Sequence, residues 1–179
     1  KKIGINAPPL NFYEINDVLT VKTEIFIKWD ARAGNAILGQ NGMLTWFDWE
    51  HSGVRCAIDD LVWFLGDEWI PSNPSLDHEI INKCVRLFKP SNTKLSAEQY
   101  LLLHGTLHMC GRLNKILQLK GKNKWWDRNY CLEFEQMGIT KIEACKLAKK
   151  AAEWAIQEKL VAPLGEWLIE VYECIYAID

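Results

Sequence analysis

The chain has 179 residues and a mass of 20.7 kDa, enough for one domain with its own core. Hydrophobic residues make up 49% and charged residues 25%, a globular composition that excludes wholesale disorder. Lys and Arg number 21 against 23 Asp and Glu; this balance removes the electrostatic case for a nucleic-acid partner, and no apolar run reaches the ~18 residues of a membrane span.

No charged-then-apolar leader pattern opens the sequence, so a cytoplasmic location is expected. Cysteines stand at 56, 84, 110, 131, 145 and 174. They form no C-x-x-C pair and do not flank the histidines at zinc-finger spacing, so reduced, buried thiols are expected.

In chain order, residues 1–24 read as an irregular lead-in with one short helix near Tyr13–Leu19. Glu24–Trp29 is a short run of β-formers that Asp30 ends. Ala36–Leu38 and Met43–Phe47 are two further apolar runs. Asn41-Gly42 lies between them and is a strong hairpin signal, so residues 36–47 read as a β-hairpin. Beyond Gly53 the pattern turns helical. Helices are expected over Ile58–Leu65, over Leu76–Phe88 after the turn-rich Pro71–Pro74, and from the Ser96/Gln99 capping box to about Leu119. A basic linker, Lys120–Lys124, leads to helices at about 127–136, 140–159 and 164–177, the second opened by Thr140 with Glu143. A small β unit followed by helices is a mostly helical α+β arrangement.

Chemistry-bearing side chains gather around the β unit. Asp30 ends a strand, Asn35 precedes the hairpin, Asp48 closes it, and Asp60 stands in the helix beyond. A hairpin brings its ends together, so the oxygens of Asp30, Asn35 and Asp48 are expected at one rim of a small sheet. Hard oxygen donors of this kind suit Mg²⁺.

The segment Trp29-Asp30-Ala31-Arg32-Ala33-Gly34-Asn35 resembles the D-x-x-x-x-N catalytic loop of protein-kinase-like phosphotransferases. Phe47-Asp48-Trp49-Glu50 resembles the I-D-W-E segment of the aminoglycoside phosphotransferase and choline kinase family, and Asp59-Asp60-Leu61-Val62 resembles that family's Y-D-L-A helix start. The resemblance covers about residues 25–65. It implies a C-terminal lobe of a protein-kinase-like fold, with a catalytic loop at 28–35, a metal segment at 47–50 and a helical subdomain at 58–179. It also implies a function: transfer of the γ-phosphoryl group of ATP, with Mg²⁺, to the hydroxyl of a small molecule.

Residue by residue, the resemblance makes Asp30 the acceptor of the substrate's hydroxyl proton and Arg32 a contact to the transferring phosphoryl group. Asn35 and Asp48 become metal ligands, and Asp60 an anchor of the catalytic loop. Lys28 stands where the family usually carries His. Trp49, His51, His104 and His108 are candidates for the substrate pocket. Partly buried helix histidines are the plainer reading of His104 and His108, which lack the Glu of an H-E-x-x-H pair. No Gly-rich loop or V-A-I-K strand lysine precedes Asp30. The chain is therefore expected to lack the N-terminal nucleotide lobe, to bind ATP weakly alone, and to self-associate through the surface left open. The alternatives are a non-catalytic, pseudokinase-like lobe acting as a binding module, and a helical interaction protein whose acids are incidental.

Overall fold

Local capping signals set most of the helix starts. The computed structural model describes residues 4–20, 25–87, 94–134 and 136–178. Helix α1 spans Phe12–Leu19, with the Asn11 side chain accepting from the Glu14 amide. After the β unit come α2 (Asp59–Leu65) and α3 (Pro74–Cys84). In α3, Asn73 is the N-cap and Pro74 occupies the first turn, where a missing N–H costs nothing. The longest helix, α4, spans Ala97–Lys120 and carries the full Ser96/Gln99 capping box. Helices α5 (Arg128–Glu133), α6 (Lys141–Ala155) and α7 (Leu164–Ala177) complete the chain. Helix α6 packs against both α4 and α7, and α4 also packs on α2. Leu101, Leu103, Met109, Ile116, Leu147 and Leu168 are fully buried in that core.

The β unit is two antiparallel pairs. Strands β2 (Ala36–Leu38) and β3 (Leu44–Trp46) form the expected hairpin, in the register Ala36↔Trp46. Strand β1 is shorter than expected, Ile25–Ile27. Trp29 and Asp30 have φ of 47° and 55°, a left-handed conformation that no strand accommodates. A strand that the sequence pattern hid, β4 (Gly53–Arg55), pairs with β1 through Ile27↔Gly53.

Three helix ends need adjusting: α5 stops at Glu133 rather than 136 and α6 at Ala155 rather than 159, where the chain passes into turns. Helix α3 ends at Cys84 and continues only as a 3₁₀ turn to Leu87, while Phe88 lies outside the described residues. On the β2–β3 hairpin and just beyond it, Trp46 is half-buried and Trp49 exposed. In α6, Lys150 turns inward to pair with Asp77 at 2.8 Å. All six cysteines are free; Cys56 and Cys131 are buried and the other four partly so. Among the described residues no helix is long and apolar enough to cross a membrane.

Candidate functional site

Three non-glycine residues among those described have positive φ: Trp29, Asp30 and Asp48 at 56°. Each such conformation costs of order 1–3 kcal/mol and persists only where neighbours enforce it. The neighbours here are identifiable. The Arg55 guanidinium lies 3.9 Å from the centre of the Trp29 ring, a cation–π stack that fixes the indole. The Asn35 amide nitrogen donates to both the Asp30 carbonyl (2.9 Å) and the Asp30 carboxylate (3.0 Å), closing the loop on itself. The Lys28 amide donates to Asp60 Oδ2 at 3.1 Å, tying the loop's start to α2. Burial raises the Asp60 carboxyl, and the Lys28 and Trp29 amides and the Lys28 charge pull it back.

Asp30 is buried, and Arg32 grips both its oxygens, Nε to Oδ1 at 2.6 Å and Nη2 to Oδ2 at 3.0 Å. Asp30, Arg32 and Asn35 therefore form one hydrogen-bonded cluster. Asp48 joins it through the backbone: the Phe47 amide donates to the Asn35 carbonyl at 3.0 Å, and Lys28 Nζ donates to the carbonyls of Asp48 (2.8 Å) and Asp30 (3.3 Å). The Asp48 residue is exposed, and its carboxylate has no hydrogen-bond or ion-pair partner among the described residues. The three expected oxygens thus share a loop pair, with Asp30 and Asn35 in side-chain contact and Asp48 linked by main chain. No group of three or more His, Cys, Asp or Glu side chains is gathered for a metal among the described residues. A site here would rest on Asn35 and Asp48. Its fit is one of donor chemistry alone: Asn35 spends its amide nitrogen on Asp30, which leaves its Oδ1 as an acceptor, and Asp48 offers a carboxylate without a partner among the described residues.

The remaining candidates divide between two places. Trp49 is exposed, with its indole N–H donating to the Trp46 carbonyl at 3.0 Å. His51 is exposed, 3.3 Å from Glu50, and meets Trp29 edge-on. His104 and His108 do not converge on a common point. His104 Nδ1 lies 3.0 Å from Asp59 Oδ1, which also accepts from Tyr100 at 3.1 Å. His108 stands edge-on to Trp63, ring centres 4.4 Å apart, and its buried Nε2 has no partner among the described residues. Burial, with Arg112 and His104 nearby, pushes His108 down to about 3.

These contacts belong to a polar seam that sequence reasoning missed. His104, His108 and Arg112 recur every four residues on one face of α4. They meet in order Asp59 and Trp63 of α2, then Glu68 just beyond it, so the two helices run side by side in the same direction. Arg112 forks onto Glu68 with Nε–Oε2 at 2.6 Å and Nη2–Oε1 at 2.8 Å, and the Gly138 amide adds a third bond. Trp63 packs edge-on to Trp29 at 5.4 Å, which brings the seam against the loop that carries Asp30. The available signal was the i, i+4, i+8 spacing of His104, His108 and Arg112.

No family model matches the chain, and no curated protein or solved structure matches it.

Proposed function

We propose that the chain is the C-terminal catalytic lobe of an ATP-dependent phosphotransferase acting on a small-molecule hydroxyl, of the kind found in the aminoglycoside phosphotransferase and choline kinase family. One observation carries the reading. The left-handed non-glycine residues among those described are Trp29, Asp30 and Asp48, and two of them carry the carboxylates that the D-x-x-x-x-N and D-W-E resemblances single out. Backbone strain confined to two facing loops is what a pre-organised site retains.

The roles follow from the contacts. Asp30 would take the acceptor's hydroxyl proton as that oxygen bonds to the γ-phosphorus and the bond to the departing ADP oxygen breaks. Asn35 Oδ1 and the Asp48 carboxylate would hold Mg²⁺, which when bound neutralises charge on the nucleotide phosphates. Asp60, through the Lys28 amide, holds the loop in place. Arg32 lies half-exposed over Asp30, placed to exchange its ion pair for the transferring phosphoryl group. The acceptor pocket would border the α2–α4 seam, where Trp63 and the unpartnered Nε2 of His108 approach the catalytic loop.

A second reading, a non-catalytic binding lobe, has one observation in its favour: Arg32 occupies both oxygens of Asp30. One assay separates the two. The polypeptide carrying this lobe together with a nucleotide-covering lobe is incubated with MgATP and a panel of hydroxylated metabolites. Phosphorylated product is expected, and Asp30→Asn should lower kcat by about 10²–10⁴-fold while the far-UV circular dichroism of the folded chain is retained. Nucleotide binding without turnover in the wild type supports the non-catalytic lobe instead.

A further inference from the structure

We propose that Lys28 is a positioning residue that sets the spacing between the catalytic loop and the metal-holding segment, by holding the carbonyls of Asp30 and Asp48 on one ammonium group. The proposal rests on the phosphotransferase reading for its consequence but not for its geometry. Lys28 is 4% exposed, so its charge is withdrawn from water. Among the described residues no carboxylate lies at ion-pair distance from it. Burying an ammonium without a counter-ion is costly unless its protons are bonded, and two of the three have identifiable acceptors, Asp48 O at 2.8 Å and Asp30 O at 3.3 Å. The rings of Trp46 and Trp49 lie 6.0 and 5.8 Å from Nζ and supply π faces.

Both acceptors belong to left-handed residues, at φ of 55° and 56°. The same side chain therefore stabilises the two strained peptides that carry the candidate base and the candidate metal ligand. Its own backbone is fixed independently, because the Lys28 amide is bound to Asp60. The result is a rigid chain of bonds from α2 through Lys28 to both loops. A neutral imidazole, the usual occupant of this position in the resembled family, has one N–H and could hold only one carbonyl. Lys28 is thus more than a tolerated departure, since it closes a bridge that the histidine leaves half open.

The experiment is site-resolved amide exchange of the chain as wild type, Lys28→Met and Lys28→Arg. The reporting amides are Arg32 and Asn35 in one loop and Phe47 and Ser52 in the other, all hydrogen-bonded in the native state. Met keeps an unbranched apolar chain, one atom shorter, that packs on the tryptophans but donates nothing. Losing the bridge should speed exchange about 10-fold or more in both loops together, with α4 and α6 still protected. Arg, which can donate to two carbonyls, should restore most of the protection. Unchanged exchange in Lys28→Met, or loosening of one loop alone, overturns the proposal. Global loss of protection in both Lys28→Met and the polar Lys28→Gln also overturns it, by assigning Lys28 to core stability. In the active polypeptide, Lys28→Met should lower kcat about 100-fold with a smaller change in nucleotide KM. A wild type without turnover would remove the phosphotransferase reading, while the exchange data would still decide the bridge.

Discussion

Two buried ionisable residues beside the candidate site make stability a readable function of pH. Burial and the neighbouring Glu68 charge push the Asp67 carboxyl up from 3.8 to about 6, against the Trp69 amide and the charges of Arg112 and Arg32. Its folded value lies above its unfolded one. The folded state therefore binds more protons between about pH 4 and 6, and stability from this group falls as pH rises through that window. Above it, Asp67 is a net cost. Asp67→Asn keeps an oxygen for the Trp69 amide, which now bonds Oδ1 at 2.7 Å. It should stabilise the chain by about 2–3 kcal/mol at pH 7.5, and by less than half of that at pH 4.5. Urea unfolding at the two pH values measures this, and a gain independent of pH would refute the assignment. His108 has the opposite sign. Its neutral form is favoured in the fold, facing Trp63, Arg112, His104, Glu68 and Asp30, so the stability it contributes is complete above about 6.5 and is lost as pH falls toward 3. In the wild type the two slopes oppose each other between about pH 4 and 6. Asp67→Asn removes the opposing Asp67 contribution, so stability in that variant should rise more steeply with pH between about 4 and 6 than in the wild type.

Among the elements, α4 and α6 meet at Gly105 and Trp154. A Cβ there would lie 2.3 Å from Cζ3 of Trp154, which is itself buried in the core. Alanine is the better helix former by about 1 kcal/mol, but the overlap leaves the indole nowhere to go without moving a helix. Gly105→Ala should therefore destabilise by about 1–3 kcal/mol, read by urea unfolding. Trp154→Leu should cost less in the Gly105→Ala background than in the wild type, because it removes the clashing ring. Additive losses would show that the two residues do not share a contact. The helices themselves were legible because their signals are local: Ser96 with Gln99 and Thr140 with Glu143 each close a cap within three residues, whereas Asn73 before Pro74 was read as turn and the start of α3 placed two residues late, at Leu76. Strand β4 was not legible, since three residues form a strand there only because β1 lies opposite. The same division runs through the candidate site. The contact of Asn35 with Asp30 spans five residues, and the Asn-Gly turn brings residue 47 back to residue 35. The Lys28 bridge spans twenty residues and depends on left-handed backbone that composition does not announce. The Arg112–Glu68 fork spans forty-four and depends on how α2 and α4 align.

Across the whole molecule, burial is sharply uneven. The helices enclose a continuous core, whereas the β unit leaves Ile25, Phe26, Val54, Ile37, Leu38 and Leu44 exposed. Among the described residues both sheets have two strands, so every strand there also presents an open edge. Two-stranded sheets of three-residue strands are marginal in water unless further strands or a packed layer cover them, and open edges invite pairing. An apolar surface of this kind, on the same β unit that carries Asp30 and Asp48, is where a nucleotide-covering lobe would sit in the proposed enzyme. With that face uncovered, the chain should self-associate through it. Sedimentation equilibrium should show a concentration-dependent rise in mass, and Phe26→Glu combined with Leu38→Glu should return the chain to a monomer. Both side chains are exposed, at 65% and 71%, so the double variant should change the unfolding free energy of the helical core by less than about 0.5 kcal/mol. A wild-type chain that stays monomeric at high concentration, or a double variant that still associates, would place the contact elsewhere and remove the surface argument for a covering lobe.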